Sequence, residues 1–172
     1  VVKVFWGLDY DLSYARHFPA INWLNSYSLY QDEMDEFFDK NVDKSFSDYR
    51  STAMGILADE QGLLEIVRLV GSDSLSDAEQ LKLEVAKSLR EDFLQQNSFH
   101  EVDTFCPLDK QIAMLSSILE FYDESLKALD ARVYLNEIRE LPVREKIARM
   151  KFIDNDEAVE EIDKIRKEIQ DE

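Results

Sequence analysis

The chain has 172 residues, 45% hydrophobic and 33% charged, with only 4 glycines and 3 prolines, a mix that argues against disorder and low-complexity linkers and suits about one domain with a real core. Twenty Lys and Arg against 37 Asp and Glu leave a net charge of −17, which disfavours nonspecific binding to nucleic acid or anionic lipid, because attraction to phosphate needs a positive field. No run approaches the roughly 18–20 uninterrupted apolar residues of a membrane span, and a single cysteine, Cys106, leaves no internal disulfide and suits a reducing compartment.

In chain order, Val1, Val2, Val4, Phe5 and Trp6, broken only by Lys3, predict a strand buried on both faces, of the kind found in parallel sheets. This opening lacks the basic start and small-residue cleavage site of a signal peptide. Nothing later has the composition of a second such strand, so the expectation is a piece of a larger α/β protein whose strand has left its sheet. The alternative is an extended arm packed on helices.

The first 49 residues hold 12 of the 19 aromatics, which predicts a densely packed, irregular opening. From Asp32 to Asp48, seven acids and two lysines predict a solvated helical face anchored to the core by Phe37, Phe38 and Phe46. These acids lack the spacing and central glycine of a calcium loop.

A helix follows over Ser47 to Val70, with Tyr49, Ala53, Ile56, Leu57, Leu63, Leu64, Val67 and Val70 on one side at three- and four-residue steps. Gly71 supplies a stop, and Ser76 with Glu79 forms a capping box for the next helix, which carries Leu81, Val85, Leu89 and Phe93. The pattern is a helical hairpin with its tip at Gly71 to Asp77. Gln95 to Phe99 breaks the helix. Pro107 opens another, whose seam of Leu108, Ile112, Leu115, Leu119, Tyr122, Leu126, Leu129 and Val133 predicts long antiparallel packing ended or kinked by Pro142. The tail predicts a short helix, then a charged one with a narrow stripe of Val159, Ile162, Ile165 and Ile169 that docks weakly or frays.

The common chemistries are absent. A phosphate loop needs glycines leading into Gly-Lys, yet the residues after the four glycines are Leu8, Ile56, Leu63 and Ser72. One Cys and two His cannot supply a zinc site, and no other metal site is expected. Cys106 and His100 lie six apart, but nothing supplies an orienting group or an oxyanion hole, so Cys106 reads as a small buried hydrophobe. No catalytic residue is expected within the chain.

Two aromatic stretches stand out: Arg16-His17-Phe18-Pro19-Ala20-Ile21-Asn22-Trp23, and Gln95-Gln96-Asn97-Ser98-Phe99 with Phe105 six residues on. Rings held on loops could make a slot for a flat ligand. From spacing alone, core filling is the simpler reading of Phe18, Phe99 and Phe105.

The stretches FWGLDYDLSYARHFPAINWLNSYSLY and FLQQNSFHEVDTFC resemble the C-terminal part of the catalytic A subunit of archaeal A-type and vacuolar V-type rotary ATPases, with the archaeal form favoured. The resemblance implies a mainly α fold, with residues 1–31 as the edge of the α/β nucleotide-binding domain and 32–172 as the C-terminal helical domain. It places Phe18, Pro19, Gln96, Asn97, Phe99 and Phe105 at the adenine pocket, which then outweighs core filling. It implies ATP or ADP with Mg²⁺ in the intact subunit, alternating B subunits in a hexameric head, central-stalk partners, and a peripheral location on the cytoplasmic face of the cell membrane. No nucleic acid and no direct membrane insertion are expected. The tip residues Gly71, Ser72, Asp73, Ser74, Leu75, Ser76 and Asp77 are similar in position to the rotor-contacting loop of the related F-type β subunit, with serines where two of its acids stand. The competing reading is a stand-alone helical interaction module with no nucleotide role.

Overall fold

The structure, a computed structural model, describes residues 2–171 and is mainly helical, with one small antiparallel sheet at its start. Strand β1 (Val4–Leu8) pairs with β2 (Ile21–Ser28), placing Phe5 opposite Tyr27 and Leu8 opposite Ile21. The register shifts between Phe5 and Gly7, where the Gly7 N–H donates to Ser26 Oγ at 3.0 Å. This corrects two expectations. A second strand exists, and β1 is not buried on both faces: Val4, Phe5, Trp6 and Leu8 are exposed. The asparagines and serines of β2 dilute its apolar content, so its sequence does not advertise a strand. Val1 lies outside the described residues.

Between the strands, Asp9 caps the short helix α1 (Tyr10–Tyr14) by accepting from the Leu12 N–H, and it also accepts from Asn22 Nδ2 at 2.8 Å. The Leu12 amide, then Asn22, hold the Asp9 carboxyl below its usual pKa.

The acidic run forms α2 (Gln31–Asn41), followed by α3 (Phe46–Val70). Phe38 packs on Phe46 at 4.5 Å and on Phe37 edge-on, so these rings bind α2 to α3 rather than anchoring in the main core, and Phe37 remains exposed. Arg50 pairs with Asp35 across the same junction. Along α3 only Ala53, Ile56, Leu57 and Glu60 are buried. The expected stripe therefore reaches the core for its first half only. Beyond Glu60 the helix projects, exposing Leu64, Ile66, Leu69 and Val70.

Gly71 stops α3 at φ 91°, a conformation that favours glycine. A single turn over Ser72–Ser74 leads to Ser76, which caps α4 (Asp77–Ser88) in the expected reciprocal box with Glu79. The helix then widens into a π-helical segment, Leu89–Leu94, and ends where the Gln95 to Phe99 break was expected.

Helix α5 (Leu108–Asp130) is the axis of the core, burying Ile112, Ala113, Met114, Leu115, Ile118, Leu119, Phe121 and Tyr122. It ends sooner than the seam suggested: Arg132 turns left-handed at φ 70° and the Val133 N–H returns to the Ala128 carbonyl. Pro142 therefore ends nothing; it opens α7 (Val143–Arg149), after the short α6 (Leu135–Arg139). Helix α8 (Ala158–Asp171) does not dock weakly. Ala158, Ile162, Ile165 and Ile169 are buried along α5, while Arg166 and Gln170 both reach Glu120 on that helix. Only Val159 of the expected stripe stays partly exposed.

Lys110 is buried on the first turn of α5, its ammonium donating to the carbonyls of Lys151 and Ile153 and to Asn155 Oδ1. Three oxygens replace the water such a charge loses on burial. No helix among the described residues is long and apolar enough to cross a membrane.

Candidate functional site

The two aromatic stretches meet at one end of the hairpin helix. After α1, Arg16 takes a left-handed turn at φ 58°, and the Phe18–Pro19 peptide is cis. The Phe18 carbonyl accepts the Gln96 N–H at 2.8 Å, and the Arg16 carbonyl accepts from Gln95 Nε2 at 3.4 Å. His17 is buried beneath this contact, its Nε2 2.7 Å from the Arg90 carbonyl and its ring tilted against Trp23. A carbonyl only accepts, so Nε2 carries the proton. Nδ1 is buried, with no partner among the described residues.

The loop from Gln95 to Pro107 folds on its own side chains. Asn97 Oδ1 accepts the Phe99 N–H at 3.0 Å, while the Asn97 N–H donates to buried Asp103 at 2.6 Å. His100 Nδ1 accepts from the amides of Val102 and Asp103, and Thr104 donates to the Ser98 carbonyl. The far side is pinned by the turn after α7: Asn155 donates to the Phe105 carbonyl, and Lys151 to the carbonyls of Glu91 and Gln95.

The rings themselves point outward. Phe18 is 52% exposed, Phe105 68% and Phe99 97%, so none of the three fills the core of this chain. Pro19 and Asn97 are exposed and Gln96 half-buried. Among the described residues, no ring-on-ring contact joins the three phenylalanines. The backbone thus brings Phe18 and Gln96 together, with Asn97, Phe99 and Phe105 on the same ordered loop.

The hairpin tip is remote from this loop. Asp77 to Leu94 runs as continuous helix, which at about 1.5 Å per residue separates the two by roughly 25 Å. Of the tip residues Gly71 to Asp77, only Leu75 is buried.

Cys106 and His100 form no nucleophilic pair. The His100 Nδ1 is occupied by backbone amides and its ring lies against Phe152, while burial pushes the half-buried Cys106 thiol pKa up. No group of three or more His, Cys, Asp or Glu among the described residues could hold a metal ion.

Glu60 and Arg90 escaped the sequence reading. Glu60, 6% exposed, receives Arg90 in a bidentate fork, with Nη2 at 2.8 Å and Nε at 3.1 Å. The available signal was a lone acid one turn beyond Ile56 on the buried stripe.

Residues 35–139 match the family described as the C-terminal domain of V and A type ATP synthase. The V-type ATP synthase alpha chain 1 of Clostridium tetani is 57% identical over 169 residues, covering 98% of this chain and 28% of that protein. The V-type ATP synthase alpha chain of Clostridium perfringens strain SM101 is 55% identical over 172 residues, covering the whole of this chain and 29% of its own length. The chain therefore spans less than a third of the curated relatives it matches. These relatives are bacterial, which overturns the preference for an archaeal form. Through the matched family and these relatives, the chain belongs to the C-terminal domain family of V- and A-type ATP synthases.

Proposed function

We propose that the chain acts within the catalytic, ATP-binding subunit of a rotary ATPase, where it supplies the adenine side of the nucleotide pocket and the helical lever. Residues 1–31 belong to the nucleotide-binding side and 32–172 to the lever. The bond between the Phe18 carbonyl and the Gln96 amide carries this reading, because it joins the two aromatic stretches and leaves their rings turned outward. Stacking on Phe18 and Phe99 would hold the base of ATP or ADP, with Pro19, Gln96, Asn97 and Phe105 bordering it. The Mg²⁺-bound phosphates would need a phosphate loop, which this chain does not contain. The exposed tip at Gly71 to Asp77, fed by the projecting half of α3, would press on the central stalk. Alternating B subunits would complete a hexameric head held peripherally at the cytoplasmic membrane face.

The experiment is Phe99→Ala in the full-length subunit, assembled in its complex, with nucleotide affinity measured directly. Loss of about 1–3 kcal/mol of stacking raises Kd roughly 5- to 150-fold. An unchanged Kd would remove Phe99 from the pocket and with it this reading.

A further inference from the structure

Resting on that reading, we propose that the Arg90–Glu60 pair is the coupling element that makes both legs of the hairpin follow the aromatic loop. Arg90 is held at both of its ends. Its carbonyl accepts from the Gln95 N–H at 2.9 Å, the widened π-helical step, and from His17 Nε2 at 2.7 Å. Its guanidinium grips Glu60 on α3. His17 is the neighbour of Phe18, and Gln95 the neighbour of Gln96, whose amide binds the Phe18 carbonyl. Any shift of the Phe18 loop therefore pulls on the Arg90 peptide, which belongs to the leg of α4.

Glu60 decides what the other leg does. It lies where the buried half of α3 ends and the projecting half begins, about 16 Å of helix short of Gly71. A force delivered to α4 reaches α3 through their shared apolar packing, which is non-directional and does little to oppose sliding along the helix axes. A planar guanidinium forked onto a buried carboxylate resists sliding, because both hydrogen bonds must break together. The other polar cross-link between the legs among the described residues, Lys82 with Asp59, is a single exposed contact from a flexible ammonium. The bare Nδ1 of His17 fits this arrangement: the ring is oriented to place Nε2 on the Arg90 carbonyl even though Nδ1 finds no partner among the described residues.

The test uses the full-length subunit in its assembled complex, with Arg90→Lys as the main variant and Glu60→Gln as the second. Lysine keeps the charge that a merely structural role requires, but loses the fork. Both variants are expected to assemble and to bind nucleotide within twofold of the parent. Both should move at least threefold fewer ions per ATP hydrolysed, and combining them should add no further loss. Wild-type ion transport per ATP in Arg90→Lys overturns the proposal, as does a loss of nucleotide affinity equal to the loss of coupling. Failure of Arg90→Lys to assemble also overturns it, since the pair would then serve folding. Phe99→Ala in the same complex separates the two claims: an unchanged Kd there sinks the pocket reading, whereas a normal Phe99 effect beside unaltered coupling sinks only the relay.

Discussion

Truncating Ile162 to alanine tests whether α8 is part of the core or a fringe. The side chain is fully buried, facing α5 in the cluster that also holds Ile165 and Ile169. The change removes three carbons from a site walled by two helices and anchored on either side by Arg166 to Glu120 and Lys146 to Glu168, so the cavity has little room to collapse. Such truncations cost about 2–5 kcal/mol. For a protein of this size each kcal/mol lowers Tm by about 2–4 °C, giving an expected drop of roughly 4–20 °C. Val159→Ala on the same helix is the control: at 39% exposure it should change stability by no more than about 0.5 kcal/mol. Thermal unfolding followed by circular dichroism reads both. Equal midpoints for the two variants, with hydrogen exchange accelerated in α8 alone, would show that this helix undocks separately and would refute the argument.

Other outcomes follow from the hairpin. Asp92 sits at the end of the α4 leg with its carboxyl pKa raised above 3.8 by burial, against the lowering effect of the Ser88 hydroxyl. A raised native pKa means that the folded chain binds the proton more tightly than the unfolded one, so stability falls as pH rises from 3.8 through the native value. Asp92→Asn should therefore raise Tm at pH 7 and leave it nearly unchanged at pH 3; a lower Tm at pH 7 would contradict the assignment. At the tip, Ser76→Ala removes a hydroxyl that accepts the Glu79 N–H and donates to the Glu79 carboxylate, and amide exchange across Asp77 to Gln80 should quicken roughly fivefold. Unaltered exchange would mean that the capping box contributes nothing there.

Much of the helical frame was legible because local rules govern it. Gly71 after an apolar stripe, Ser76 three residues before Glu79, and the four-three steps from Leu108 each have a local cause, and the observed ends of α3 and α4 agree closely with them. What was illegible depends on distant partners. The seam through Val133 continues in sequence past the point where Arg132 turns left-handed and stops the helix. Trp6 and Leu8 are as apolar as buried residues but lie on open faces of the hairpin, and Asn22, Asn25 and Ser26 disguise its second strand. At the candidate site, spacing favoured core filling for Phe18, Phe99 and Phe105, whereas the rings face outward; only the resemblance pointed to a pocket. Glu60 and Lys110 each interrupt an apolar stripe with a charge. That flags them as unusual, but nothing in the one-dimensional pattern pairs Glu60 with Arg90, or Lys110 with carbonyls more than forty residues on.

The place of α8 in the chain has a further consequence for biosynthesis. Helix α5 emerges from the ribosome before the partner that covers one of its apolar sides, with roughly fifty residues between the two starts. At about 5–20 residues per second that interval is on the order of 3–10 s, far longer than the microseconds a helix needs to form. For that period Ile112, Ala113 and Leu119 belong to a nascent helix that is already wound but not yet roofed. This interval is when a holding chaperone would have most to grasp, and a translational pause between α7 and α8 would lengthen it.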